Sequence, residues 1–204
     1  MTGPASDAAP APVRRPRADT ARTAGLTSWD APGWAGLRVV VTGLGVTGFS
    51  VADTLAELGA AVVVVDLPDR EGETVRADAV AALGPRARFV TGDVTDEGTA
   101  REAVAAALEA GPLRVLVNCA GVATPGKLVG RDGPLSAEVL SRVLAINAVG
   151  TVSMMAQAAA AMKAQEPLGE DRGVIVNTAS VAAYDGQIGQ IAYSASKGAV
   201  VALT

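Results

Sequence analysis

The sequence contains no histidine, and in 204 residues it has a single cysteine, Cys119. Without imidazole, proton transfer near neutral pH has to use another side chain. One cysteine excludes an internal disulfide framework, and no metal site is expected. It also suits a reducing compartment, so a cytoplasmic location is expected. The formal net charge of −4 leaves no basic excess for nucleic acid. No uninterrupted apolar run reaches the roughly 18 residues of a membrane span, so no membrane partner is expected. Aromatic residues make up only 3% of the chain, while hydrophobic residues make up 50%. Alanine and valine must therefore fill the core.

What is present reads as one domain. Residues 1–24 carry Pro4, Pro10, Pro12 and Pro16 with Arg14, Arg15, Arg17 and Arg22 and no apolar face. They are expected to be a disordered tail rather than a secretory signal. From residue 25 to 204 the pattern alternates strand and helix. This predicts an α/β fold with a doubly wound parallel sheet of the Rossmann type.

The first folded unit is Leu37–Thr42 as a buried strand, Gly43-Leu-Gly45-Val-Thr-Gly48, a helix over Phe49–Leu58 closed by Gly59, and a second strand, Ala61–Asp66. Strand, Gly-x-Gly-x-x-Gly, helix, strand and acid form the dinucleotide-binding pattern in its required context. Gly43 permits the tight turn, Gly45 lets the backbone approach a pyrophosphate, and Gly48 lets helix and strand pack closely. The helix amino terminus then faces the phosphates. Asp66 is placed to accept from both ribose hydroxyls and would repel a 2′-phosphate, so NAD is favoured over NADP as the cofactor.

The alternation continues with a helix over Glu73–Leu83, a strand at Ala87–Val90, a helix capped by Asp96 and ending at Glu109, and a strand at Leu113–Asn118. Gly121–Leu135 reads as a loop, in which Lys127 and Arg131 are expected to be solvated charges. Ser136 caps a long helical region with Asn147 inside it, where an unpaired amide is unfavourable without a reason. A polar loop over Pro167–Gly173 leads into a strand from Val174 that ends in small polar residues, with Ser180 at its carboxyl end. Tyr193 and Lys197, four residues apart, stack on one face of the last helix. In open parallel sheets, ligands bind at the carboxyl edge, so Ser180, Tyr193 and Lys197 converge on one crevice. A free phenol titrates near ~10, and an ammonium one turn away favours its ionised form. Such a phenol can take an alcohol proton while a serine hydroxyl holds the oxygen. A bare Tyr-x-x-x-Lys is a short pattern that solvated helices also carry, so the surrounding residues decide its meaning.

Those residues are Asn177-Thr-Ala-Ser-Val-Ala-Ala-Tyr184, Gln187-Ile-Gly-Gln190 and Tyr193-Ser-Ala-Ser-Lys197-Gly. With Asp66-Leu67-Pro68, Asp93-Val94-Thr95, Asn118-Cys-Ala120-Gly121 and Arg142-Val-Leu-Ala-Ile-Asn147, they resemble the short-chain dehydrogenase/reductase family. Within it they are most similar to the type-2 3-hydroxyacyl-CoA dehydrogenases, also described as 17β-hydroxysteroid dehydrogenases. The resemblance implies reversible NAD-linked oxidation of a secondary alcohol to a ketone. Tyr193 would be the acid/base, Ser180 the partner of the substrate oxygen, Lys197 the holder of the nicotinamide ribose and Asn147 the anchor of a proton relay. It implies that Leu67, Asp93 and Val94 border the adenosine and that Asn118, Ala120 and Gly121 support the cofactor. It also implies a small-molecule substrate, with an acyl-CoA as the leading candidate, and a tetramer. Steroids and other hydroxy compounds stay open.

Two departures accompany the resemblance. The family spaces its glycines Gly-x-x-x-Gly-x-Gly, and here the turn is one residue short, with Val46 where the middle glycine falls. Thr27-Ser-Trp-Asp30 and Gly36–Gly48 look more like the opening of UDP-N-acetylmuramoyl-alanine–D-glutamate ligases, although the ATP-binding loop such ligases need is absent. Family members also continue beyond the position matching Thr204. The expectation is a domain truncated at its carboxyl end, poorly soluble or inactive alone. Alternative readings are a non-catalytic nucleotide-binding fragment and a relative of the ligase.

Overall fold

The computed structural model describes residues 32–131 and 133–204. The expected tail at 1–24 and the Thr27–Asp30 segment lie outside them. Five parallel strands form one sheet: β1 (Arg38–Thr42), β2 (Ala61–Asp66), β3 (Ala87–Thr91), β4 (Leu113–Asn118) and β7 (Val174–Asn177), in the order β3-β2-β1-β4-β7. Between β4 and β7, Val129–Gly130 (β5) and Gly133–Pro134 (β6) make a minimal antiparallel pair. The region expected to be a simple loop therefore contains a short hairpin.

Among the described residues six α-helices form: α1 (Val46–Glu57), α2 (Val75–Ala82), α3 (Glu97–Glu109), α4 (Ala137–Leu144), α5 (Thr151–Lys163) and α6 (Ile191–Leu203). Helices α1, α2, α3 and α5 pack on the sheet, and α4 and α6 pack on each other. The near-continuous valine of the central strands reflects burial on both faces. Val40, Val63 and Val65 point to the side of α3 and α5, where Ala103, Ala107, Met154 and Ala158 pack. Val39, Val41, Val62 and Val64 point to the other side, against Ala52, Leu55 and Ala56 of α1 and Val80 of α2.

Helix α1 starts three residues earlier than expected. The apolar pattern begins at Phe49, but Gly45 is the extended residue that opens the helix, so Gly48 lies inside the first turn. Other limits follow local capping chemistry. The Asp96 carboxylate accepts from Gly98 N at 2.8 Å and opens α3. Ser136 Oγ accepts from Glu138 N at 3.1 Å and opens α4.

Helices α4 and α5 are joined without a break by a π-helical segment, Ala145–Gly150. Together they run from Ala137 to Lys163, a helix long and apolar enough, by length and composition, to cross a membrane. The long helical region opening at Ser136 was expected from the sequence, whereas a helix that apolar was not, because no uninterrupted apolar run reaches the length of a span. The helix packs against α3 and β4, with Val143, Met154, Ala158 and Met162 buried.

The strands run β1 to β3 outward on one side and resume at β4 on the other, so the order reverses between β1 and β4. At such a switch point the following connections leave to opposite sides and open a crevice at the carboxyl edge.

Candidate active site

The crevice lies where the glycine turn leaves β1. Gly43 adopts φ +83°, open to glycine and strained for other residues. A β-carbon there would lie 2.7 Å from the backbone of Ala120, and one on Gly48 would lie 1.7 Å from Gly43 O. A β-carbon on Gly45 would meet nothing within 4 Å, because that residue borders open space. The three glycines thus serve a turn, an open approach and a close helix–strand contact, despite the shortened loop. The amino end of α1 has no side-chain cap, leaving backbone N–H groups directed at this space. Val46, at the head of the helix, is 89% exposed.

A cavity of about 490 Å3 opens between the carboxyl ends of β1, β2 and β4. Gly43, Gly45, Asp66, Leu67, Asp93, Val94, Ala120 and Gly121 line it. Gly48 and Asn118 lie behind its wall. Asn118 is buried and bridges three strand ends: Thr42 Oγ1 donates to its Oδ1 at 3.3 Å, and its Nδ2 donates to Asn177 Oδ1 at 2.9 Å. Asp93 closes a local turn, its Oδ1 accepting from Thr95 N at 2.9 Å and Thr95 Oγ1 at 2.8 Å. Val94 packs beside Gly150 of the π segment, where a β-carbon would lie 2.7 Å from Val94 Cγ2.

Asp66 is not the free acceptor that its position in the sequence implies. Its Oδ2 accepts from Leu44 N at 2.5 Å, and its Oδ1 accepts from Leu67 N at 2.7 Å and from Arg76 Nε at 3.0 Å. Arg76 also reaches Asp69 at 3.5 Å. Asp69 accepts from the backbone N–H groups of Arg76 and Ala77 at the start of α2. Those bonds hold its carboxyl below the usual 3.8, while the Asp66 contact raises the Arg76 guanidinium above its ordinary value. Sequence reasoning missed Arg76. The one available signal was a cation in the first turn of the helix following the acid-terminated strand.

The second half of the site comes from the segment after β7 and from α6. Ser180 lies three residues past the end of β7, still extended, and its Oγ accepts from Ala182 N at 3.2 Å as the cap of a 3-10 turn, Val181–Ala183. That turn packs against α6, which carries Tyr193 and Lys197 in its first two turns. Lys197 is buried, with Nζ 5.7 Å from the centroid of the Tyr193 ring and donating to Thr178 O at 2.5 Å. Burial pulls the ammonium below its ordinary 10.5, offset in part by the nearby Cys119. Thr178 Oγ1 also meets Cys119 Sγ at 3.6 Å, and Cys119 lines the glycine-turn cavity. Thr178 and Cys119 therefore join the two halves.

Asn147 sits in the π segment, 1% exposed. Its Oδ1 accepts from Val122 N at 2.8 Å, and its Nδ2 donates to Val122 O and to Ser196 Oγ, each at 2.9 Å. One amide thus ties the helix, the loop after β4 and α6 together. Single π turns recur at functional positions in helices because they redirect backbone groups. Lys127 and Arg131 are exposed on the hairpin.

Comparison with known proteins agrees with this geometry. Over 172 residues the chain is 44% identical to a 3-hydroxyacyl-CoA dehydrogenase type-2 of Drosophila melanogaster, covering 82% of this chain and 66% of that protein. The crystal structure of 3-hydroxyacyl-CoA dehydrogenase type-2 from Mycobacterium avium superimposes with a TM-score of 0.75 at 35% identity, covering 83% of this chain and 66% of that one. The chain thus spans slightly less than two thirds of the length of these relatives. A separate match, 80% identical over 44 residues, is to the UDP-N-acetylmuramoylalanine–D-glutamate ligase of Leifsonia xyli, covering 22% of this chain and 8% of the ligase. Residues 38–204 match the short chain dehydrogenase family throughout, and the chain belongs to that family.

Proposed function

We propose that this chain carries the cofactor-binding and proton-transfer parts of an NAD-dependent oxidoreductase that interconverts a secondary alcohol and a ketone, with a 3-hydroxyacyl-CoA as the favoured substrate. The observation that carries the reading is the joining of the glycine-turn cavity to Lys197 and Tyr193 through Cys119 and Thr178.

The residues present fit a dinucleotide. The turn at Gly43–Gly48 and the uncapped start of α1 would hold the pyrophosphate. Asp66 and Leu67 would meet the adenosine ribose, with Asp93 and Val94 beside the adenine. When bound, the nicotinamide accepts or gives the hydride. The protein contributes orientation and a proton path. Ser180 would hold the substrate oxygen, and Tyr193 would take the hydroxyl proton. Lys197 would hold the nicotinamide ribose and keep a positive charge beside the phenol. Asn147 would fix α6 through Ser196 and anchor the relay behind Lys197.

The substrate class rests on similarity and on one structural feature. Leu128, Val129, Val181, Tyr184 and Ile188, in the segments flanking the second half of the site, are all at least 66% exposed. Gly126 N donates to Gly189 O at 2.7 Å, tying the hairpin to the turn before α6. An apolar rim of this kind suits an acyl chain or a steroid better than a small polar alcohol. A free cysteine in the crevice suits a reducing cytoplasm, where we place the protein, and we expect a homo-tetramer. Mixing the protein with NAD and a 3-hydroxyacyl-CoA, a hydroxysteroid or a short secondary alcohol tests the reading. The acyl-CoA is expected to give the fastest NADH formation, and a soluble protein that neither binds NADH nor turns over any alcohol would contradict the reading.

A further inference from the structure

We infer that Arg76 is a specificity-determining residue at the adenosine-ribose end of the crevice: it offsets the charge of Asp66 and presents a guanidinium edge to a 2′-phosphate, so that the pocket accepts 2′-phosphorylated dinucleotides alongside unphosphorylated ones. The inference rests on the reading of the crevice as a dinucleotide site and concerns how that site chooses.

The acceptor capacity of Asp66 is the first ground. A carboxylate offers about four lone-pair positions. Leu44 N, Leu67 N and Arg76 Nε take three of them. Two ribose hydroxyls cannot both donate to what is left, and the Arg76 cation 3.0 Å away offsets the repulsion that a bare acid would exert on a phosphate.

The placement of Arg76 is the second. It lines the same cavity as Asp66 and Gly45, and its side chain is 33% exposed. Nε is spent on Asp66 and Nη1 leans on Asp69, while Nη2 has no bond among the described residues. The backbone beneath is fixed, because Asp69 accepts from Arg76 N and Ala77 N at 2.9 and 3.0 Å. A guanidinium held by its base, with its Nη2 edge free toward a cavity, can donate a charge-assisted hydrogen bond to a phosphate oxygen. Asp66 masks that edge in part, so removing the acid is expected to unmask it.

The test is binding, read without turnover. Dissociation constants for NADH, NADPH and adenosine 2′,5′-bisphosphate are measured by fluorescence titration or calorimetry on the wild type, Arg76→Gln, Asp66→Asn and the double variant. Wild type is expected to bind NADH and NADPH within about tenfold of each other. Arg76→Gln is expected to weaken NADPH and the bisphosphate about tenfold more than NADH. Asp66→Asn is expected to tighten NADPH relative to NADH, and the double variant to lose that gain. Wild-type NADPH binding weaker than NADH by about a hundredfold or more would overturn the inference and leave the dinucleotide reading standing. So would an Asp66→Asn gain that is equal with and without Arg76. If wild type bound neither dinucleotide, both would fall.

Discussion

Strands β2 and β7 are both valine-rich, both parallel and both end in a polar residue, yet they live in different surroundings. Val62, Val63, Val64 and Val65 are at most 5% exposed, whereas Val174 and Val176 are about half exposed, at 50% and 48%. The cause is position. Strand β2 has β1 and β3 beside it and helices over both faces, while β7 pairs, among the described residues, with β4 alone, and of its two faces the one with Ile175 packs on the core. The same contrast runs through the site. At the end proposed to hold the adenosine, Asp66, Asp69 and Arg76 are tied to one another and to the backbone of Leu44, Leu67 and Ala77 by hydrogen bonds. At the proposed reaction end, Lys197 is buried and fixed to Thr178, but Ser180 is held by one local bond and the neighbouring rim is exposed. Sequence composition sets a strand's tendency to be buried, and topology decides whether the burial is realised on one face or two.

The comparison can be sharpened by variants at each end. The largest effect is expected at the reaction end. Tyr193→Phe should lower the oxidation rate by about 10²–10⁴-fold, the usual contribution of a positioned acid/base, with NADH affinity altered far less. Steady-state rates beside a binding titration check it. Next comes Gly48→Ala at the other end. Its β-carbon would fall 1.7 Å from Gly43 O, so the turn must shift. A loss of about 3 kcal/mol in urea unfolding and a clear fall in NADH affinity are expected. If the variant binds NADH as the wild type does, the turn does not hold the pyrophosphate.

The strands themselves give a smaller difference. Val64→Ala should cost about 2–3 kcal/mol and Val176→Ala less than about 1 kcal/mol, because only the first opens a cavity in a two-sided core. Equal costs would mean that β7 is covered in solution. The smallest effect concerns pH. Lys197 titrates below 10.5 when folded, so just below 10.5 the unfolded chain binds more protons than the folded one. Stability should therefore rise as pH climbs through the lowered value toward 10.5. Lys197→Met should flatten that rise in pH-dependent denaturant melts.

Much of this was legible in the residues. The limits of β2 and β4, the caps at Asp96 and Ser136 and the separate uses of Gly43, Gly45 and Gly48 follow from local chemistry, which sequence records directly. Asn147 stood out because an amide inside an apolar helix needs partners, and it has three hydrogen bonds to other elements. What was not legible depends on distance in the fold. Arg76 lies on a mostly exposed helix, and nothing periodic marks its reach back to Asp66. The π segment at Ala145–Gly150 leaves no compositional trace, although the long helical region that holds it was legible from the Ser136 cap onward. Thr42 reads as the last residue of a strand, and only the sheet shows it bridging to Asn118.

The central claim is that one dinucleotide spans both ends of the crevice. Amide hydrogen exchange with and without NADH tests this directly. The account predicts slowed exchange at Gly43–Gly48 and Asp66–Leu67 and, in the same titration, around Thr178–Ser180 and Tyr193–Lys197. Protection confined to the glycine turn, with the Tyr193–Lys197 helix unchanged at saturating NADH, would contradict it.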